Sequence, residues 1–491
     1  MVLIRFLKLY ICVARQTSKM TLRFFLFPYV LILSQACFTT GYCTRPNIIV
    51  IFVDDLGYAD IGPFGSKHST PNLERMAQGG RRFTNFYSTS PVCTPSRASL
   101  MTGCYPLRVG MAHNERGQWV LFPGNHKGLN PDEYTMAELL KGQGYATACV
   151  GKWHLGDQAP FLPTRQGFDS YFGIPFSNDM GYHNPVRGYP PLPLMRNESV
   201  IEEEPDQALL TLRYTEEAVA FIKANRNGPF FLYLPHTMPH IPIYVSDEFK
   251  DQSGNGLIGD SVQELDWSTG RILDTLAELD IEDNTLVVFT SDNGGTFRSH
   301  SSNAPLRGQK GEVWEGGMRV CTLMQWPGVI PAGTDCHELA TMMDLLPTFA
   351  TFSGGILPDD RIIDGRDIGP LISGQSEAQT PHEAFYYYWM NHLCAVRSGK
   401  WKLHVSYLKR DRIGMTQTRV SELYDLENDV GETTNVASAN PDVVEHLKAL
   451  IREARSDLGD GPYLGRNTRP AGYVESARML TRKPSNDLNK S

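Results

Sequence analysis

The run Asn47–Val53, Asn-Ile-Ile-Val-Ile-Phe-Val, carries no charge and then stops on two consecutive acids, Asp54 and Asp55. Short, uncharged, mostly β-branched runs read as strands covered on both faces, which is the habit of parallel sheets. Three more occur at 147–151, 230–234 and 286–290, each bounded by Gly, Pro or Asp. Between them lie helical patterns at 71–78 with Thr70 as its N-cap, at 136–141 ending on Gly142, and at 208–224 and 261–279. This alternation predicts an α/β fold, a mostly parallel central sheet with helices on both faces.

At 491 residues the chain has room for two domains. Its texture changes near 379, where 383–389, 395–399 and 400–407 are aromatic, alternating pieces suited to a small antiparallel sheet. Tyr386, Tyr387, Tyr388 and Trp389 read as sheet packing. A helix is expected at 441–455. The polar stretch 374–380 is the expected linker between a larger domain, 44–374, and a smaller C-terminal α+β domain, 379–491. The formal net charge is −8 with no long basic run, which argues against a nucleic-acid partner. An anionic substrate would need a local cluster of cations.

Met20-Thr-Leu-Arg precedes an apolar run at 24–33 and then Ser34-Gln35-Ala36, the pattern of a cleavable signal within 1–41, with the first 19 residues as an upstream extension. The run falls short of the ~20 residues that a membrane span needs. An exported protein is expected, secreted, periplasmic or in a lysosome-like compartment, with no transmembrane helix after signal removal. Cleavage after Ala36 would leave Cys37 first, open to lipid anchoring. The nine cysteines show no CxxC or zinc-like clustering, and one or two disulfides are expected.

Polar clusters stand where the strands end: Asp54-Asp55, the 151–154 segment with Lys152 and His154, His236, and Asp292-Asn293. Such strand ends converge on a ligand crevice in open α/β sheets. Inside a strand Asp54 and Asp55 would point to opposite faces, so they can share a site only where the strand is ending, and Gly57 permits that turn. Singly, each acid reads as a turn residue. Four oxygen-bearing side chains on two strands, with cations on a third, favour a hard cation, calcium before magnesium.

The most specific motif is Cys93-Thr94-Pro95-Ser96-Arg97, continuing Ala98-Ser99-Leu100-Met101-Thr102-Gly103. It resembles the signature of type I sulfatases, in which the Cys is oxidised to formylglycine. The stretches NIIVIFVDDLGYADIGPFG, GYATACVGKWHLG, GIPFSND, LPHTMPH, TSDNGG and GQKGEVWEGGMR extend the resemblance toward the arylsulfatase A and galactosamine-6-sulfatase branch. The resemblance implies an alkaline-phosphatase-like large domain and hydrolysis of sulfate monoesters, with a sulfated carbohydrate as natural substrate and aryl sulfates as artificial ones. It also implies a separate maturation enzyme. Asp54, Asp55, Asp292 and Asn293 would bind Ca2+ together with the modified Cys93. Arg97, Lys152, His154, Ser177, His236 and Lys310 would surround the sulfate. His154 is the expected base for the second hydroxyl of the hydrated aldehyde, and His236 with Lys310 the proton source for the leaving alcohol. Motif match favours His236 over His240. A phosphoester or phosphonate hydrolase of the same superfamily and a non-catalytic binder of sulfated glycans are the alternatives.

Overall fold

In the computed structural model the central sheet is built around β1 (Asn47–Val53), every residue of which is buried. The structure describes residues 45–182, 188–410 and 415–482; the signal segment, Cys12, Cys37 and Cys43 lie outside them. The other strands of this sheet are β2 (Arg81–Phe83), β3 (Ala146–Val150), β4 (Ser170–Gly173), β5 (Pro193–Arg196), β6 (Ser199–Glu203), β7 (Phe230–Pro235), β8 (Thr285–Ser291), β9 (Thr322–Gln325) and β10 (Thr334–Cys336). Their order is β10-β2-β9-β8-β1-β7-β3-β4-β5-β6. The centre, from β8 through β1, β7 and β3 to β4, is parallel. Antiparallel pairs β8–β9 and β4–β5 flank it, so the sheet is mixed.

Helices cover both faces, as alternation along the strands requires. Val50, Phe52, Phe231, Tyr233 and Val288 face one layer, formed with α2 (Cys93–Thr102), α3 (Met136–Gly142) and α6 (Leu345–Ser353). Ile49, Ile51, Leu232, Leu234 and Phe289 face the other, formed with α1 (Pro71–Gly79), α4 (Leu210–Asn225) and α5 (Gly256–Glu278). The helix α3 starts on a capping box: the Thr135 hydroxyl accepts from the Glu138 N–H at 3.1 Å, and the Glu138 carboxylate accepts from the Thr135 N–H at 2.8 Å. Thr70, expected to cap α1, does not. Its hydroxyl accepts instead from the Gly62 N–H at 2.8 Å, holding the preceding loop. α5 begins five residues before the expected start, at Gly256, with Ile258 buried on its inner face.

The C-terminal sheet comprises β11 (Phe385–Trp389), β12 (His392–Ser398), β13 (Trp401–Arg410) and β14 (Met415–Asp425), all antiparallel, with α7 (Pro441–Asp457) packed on it. Tyr387 and Tyr388 are buried in that core. Residues 46–491 form one unit. Among the described residues, all six cysteines (Cys93, Cys104, Cys149, Cys321, Cys336 and Cys394) are buried and free. No described helix is long and apolar enough to cross a membrane.

Candidate active site

The parallel register carries four chain exits to one place. Past the strands, the backbone ladder continues for one more step: Asp292 N–H donates to Val53 O at 3.0 Å, His236 N–H to Phe52 O at 2.9 Å, and Lys152 N–H to Pro235 O at 2.7 Å. Asp54 therefore lies level with Asp292 and one step beyond Lys152. Asp55 takes a left-handed backbone (φ 66°), which turns the chain so that both acids face the same centre. Gly151 makes the close approach of β3 feasible: at φ 135°, a Cβ there would stand 1.9 Å from Pro235 O.

Cys93 is the first residue of α2, which is buried along its whole length. Its Sγ lies 3.4 Å from Asp54 Oδ1, 3.9 Å from Asp55 Oδ1 and 3.5 Å from Lys310 Nζ. Ligand atoms of Asp54, Asp55, Cys93 and Asp292 all fall within 4.8 Å of one another. Asn293 donates from Nδ2 to Asp55 Oδ1 at 2.8 Å, while its Oδ1 is buried and has no hydrogen-bond partner. Three buried carboxylates and an unsatisfied amide oxygen are an oxygen-rich donor set, and buried like charges at this spacing call for a cation. Burial, followed by the charges of Asp54 and Asp55, pushes the Asp292 carboxyl up to about 7. Residues Asp54, Asp55, Asp292 and Asn293 thus fit a calcium ion.

Cations ring this cage. Lys152 Nζ is 2.5 Å from Asp54 Oδ2 and 3.2 Å from Ser177 Oγ. Lys310 Nζ is 2.7 Å from Asp55 Oδ2. Arg97 donates to Asp292 Oδ2 and, at 2.9 Å, to Lys152 O. Although burial works against it, Lys152 with His240, Arg97 and Lys310 holds Asp54 well below the usual carboxylate range. Burial and the neighbouring Asp54 push the Cys93 thiol well up, so the unmodified side chain is a poor thiolate nucleophile.

The cavity above the cage, about 210 Å³, is lined by Asp55, Cys93, His154, Ser177, His240 and Lys310, with Trp119, Phe122, Asp179, Thr296 and Arg298 among its outer residues. His154 places Nε2 3.0 Å from Leu121 O, and a carbonyl can only accept, so Nε2 carries the proton. Nδ1 is then a lone pair without a partner. Burial, reinforced by Lys152, lowers the His154 pKa well below the ordinary value and keeps the ring neutral.

His236 is not in this cavity. It shares the face of Leu232 and Leu234, and its ring lies against α4 and α5, with Nε2 3.3 Å from Ser268 Oγ and the Tyr214 ring beside it. Burial alone lowers its pKa to about 3. The residue the sequence reading passed over, His240, takes the place instead. Its Nε2 is 3.7 Å from Asp55 Oδ2, its ring is 3.5 Å from Ser177 Oγ, and its Nδ1 is 3.0 Å from Asn178 Oδ1. Strand parity was the available signal, because a residue directly after β7 must keep to one face of the sheet, whereas one four residues later is free of it.

The C-terminal sheet braces this centre from behind. Lys402 Nζ on β13 lies 3.0 Å from Glu315 and 2.9 Å from Glu432, and Tyr387 donates to Glu315 at 2.8 Å. Glu315 opens the helical turn Glu315–Met318, in which Gly317 O accepts from the Gly294 N–H at 3.1 Å, next to Asn293. Lys310 N–H in turn donates to Gly295 O at 3.0 Å.

Comparison with known proteins agrees with this geometry. A family model described as Sulfatase matches residues 46–355, and one described as N-sulphoglucosamine sulphohydrolase, C-terminal, matches 309–457. The chain is 40% identical over 502 residues to N-acetylgalactosamine-6-sulfatase of Canis lupus familiaris, covering 92% of this chain and 95% of that one. It is 38% identical over 448 residues to arylsulfatase A of Homo sapiens, covering 82% and 87%. The crystal structure of Ps i-CgsB in complex with k-i-k-neocarrahexaose is similar with a TM-score of 0.74 and 30% identity, covering 84% of this chain and 92% of that one. The large mixed sheet with its small antiparallel companion is the alkaline-phosphatase-like fold. On these matches the chain belongs to the sulfatase family, enzymes that hydrolyse sulfate esters.

Proposed function

We propose that this enzyme removes sulfate from a sulfated carbohydrate, using a formylglycine made from Cys93 and a calcium ion held by Asp54, Asp55, Asp292 and Asn293. The observation that carries the reading is the position of Cys93 Sγ, 3.4 Å from Asp54 Oδ1 and 3.5 Å from Lys310 Nζ, where the acid cage meets the cavity lining. Calcium in that cage would supply positive charge to the sulfate oxygens, and a hydrated aldehyde at residue 93 would supply the attacking oxygen.

The chain's own side chains divide the remaining work. Lys310 lines the cavity, and Lys152, buried behind it on Asp54 and Ser177, adds a second positive charge toward the bound ester. Ser177, 3.2 Å from Lys152 Nζ, offers a hydroxyl to the same anion. Arg97, locked on Asp292 and Lys152 O, fixes the direction of the Asp292 carboxylate. His154, which lines the same cavity as residue 93, offers Nδ1 as a proton acceptor. His240 and Lys310 stand together at Asp55, placed to pass a proton to the departing alcohol.

Carbohydrate is favoured over a simple aryl group by the cavity rim. Trp119 and Phe122 give an aromatic wall, and the Asp179 Oδ1, buried without a partner, can accept from a sugar hydroxyl. The relative named N-acetylgalactosamine-6-sulfatase and the structure solved with a neocarrahexaose support the same class. The catalytic parts fall in 44–374 and the brace in 379–491, which we take as the two domains. Export through the signal at 1–41, into a secreted, periplasmic or lysosome-like compartment, completes the reading.

Peptide mass spectrometry across residue 93 of natively produced, active protein tests it. An aldehyde in place of the thiol is expected, together with loss of turnover in Cys93→Ala. An unmodified thiol in fully active protein overturns the mechanism, and faster cleavage of an aryl phosphate than of the matched aryl sulfate overturns the substrate class.

A further inference from the structure

A second concavity lies on the C-terminal part of the chain, between α7 and the β12–β14 face. At about 720 Å³ it is larger than the catalytic cavity, and the two share no lining residue. Along α7, Leu447, Leu450, Ile451 and Ala454 pack down into the core. Lys448, Arg452 and Arg455 are spaced i, i+4, i+7, so they form one stripe along the groove wall. Arg419 of β14 adds a fourth cation; Arg419, Arg452 and Arg455 are exposed and Lys448 is half-buried.

One acid, Asp460, lines the groove, and it is already paired with Arg455 at 2.8 Å. Lys448 is bonded to Glu445 outside the groove at 2.9 Å. The side chains of Arg419 and Arg452 make no hydrogen bond or ion pair among the described residues. In a chain of net charge −8, four cations against one lining acid make a local concentration of positive charge, and two of them, Arg419 and Arg452, serve no internal pairing. The floor is apolar, with Val405, Val420 and Ile451, and Tyr463, 78% exposed, stands at the rim as a platform for a sugar ring.

We propose that this groove binds a sulfated polysaccharide, holding a stretch of polymer apart from the residue being cleaved. Its concave shape, apolar floor and aromatic rim suit a sugar chain with regularly spaced anions better than a flat lipid surface. The choice of a sulfated polymer rests on the carbohydrate reading given above, but the binding itself does not require turnover.

The test uses immobilised chondroitin sulfate and protein carrying Cys93→Ala, so that the catalytic cavity cannot process the probe. Adding Arg419→Ala, Lys448→Ala and Arg452→Ala is expected to weaken binding about tenfold or more and to flatten its dependence on salt, because fewer counterions are released. The same three substitutions with Cys93 intact are expected to leave turnover of 4-nitrophenyl sulfate unchanged. Unaltered polymer affinity in the triple variant overturns the proposal, and so does binding of phosphatidylserine vesicles in place of chondroitin sulfate. Should the triple variant lose its fold, Arg452→Glu alone must reproduce the weakened binding. Absence of aryl sulfate turnover in the unsubstituted enzyme, with polymer binding intact, would count against the catalytic reading and not against the groove.

Discussion

Arg97 and Asp292 form an ion pair sealed inside the protein: Nε lies 3.2 Å and Nη2 2.8 Å from the same oxygen, Oδ2, and neither side chain is exposed. Removing one member of such a pair strands the other. Arg97→Leu is expected to cost about 3–5 kcal/mol of stability, read as a lower urea midpoint, and to abolish aryl sulfate turnover. A variant with wild-type stability would show that the pair is not needed to hold the acids.

The two histidines of the 236–240 segment separate cleanly by position. His240→Gln is expected to lower kcat on an aryl sulfate by about 10²–10⁴-fold. His236→Gln alters a packed ring against Ser268 and Tyr214, so it should lower Tm while kcat stays near wild type. Steady-state kinetics on both variants decides, and the opposite ranking would restore His236 to the site.

Chelation tests the acid cage. Stripping divalent cations leaves Asp54, Asp55 and Asp292 facing one another without a central counter-charge. Turnover should disappear and Tm should fall, with calcium restoring both more fully than magnesium; an ion present at 100 times its Kd adds about 2.7 kcal/mol. A Tm and kcat indifferent to a strong chelator would remove the metal from the account.

Acid stability follows Glu315. Burial alone would raise its pKa, but Lys402, then Arg319 and Arg397, hold it down at about 2. A carboxyl lowered on folding contributes stability that is complete above its unfolded pKa and is lost as pH falls through the folded value. Stability should therefore decline between about pH 4.5 and pH 2, and Glu315→Gln should be less stable at neutral pH with a shallower decline over that window. Urea titrations across pH measure both, and equal slopes in the two proteins would rule out this origin.

Gly151→Ala probes the crossing behind Lys152. The added methyl would lie 1.9 Å from Pro235 O at a backbone angle that L-residues avoid. A loss of more than about 2 kcal/mol is expected, with turnover falling because Lys152 moves off Asp54. Normal turnover in this variant would mean that Lys152 is held by other contacts.

The central strands were legible within about a residue, because 47–53, 146–150, 230–235 and 285–291 are buried on both faces and so carry unbroken apolar runs. The short strands toward the two ends of the sheet, at 81–83, 193–196 and 199–203, were not, being only three to five residues long and partly exposed. The fourth C-terminal strand, 415–425, runs through Thr416, Gln417, Thr418 and Arg419, and its buried apolar residues, Leu423 and Tyr424, come only near its end. The acids of the cage could be found because strand ends print them next to apolar runs. Trp119, Phe122 and Asp179 could not, since they reach the cavity on loops whose paths are set by tertiary contacts. His240 needed the face on which β7 delivers its last residue, which a motif comparison does not contain.

Only 2% of Cys93 is open to solvent. Another protein cannot take hold of a thiol that the finished molecule has already enclosed. The proposed chemistry therefore orders biogenesis: oxidation has to come while the segment around 93 is still an extended, accessible peptide, and folding afterwards. Chains that fold before they are converted would remain permanently inert, however perfect their architecture.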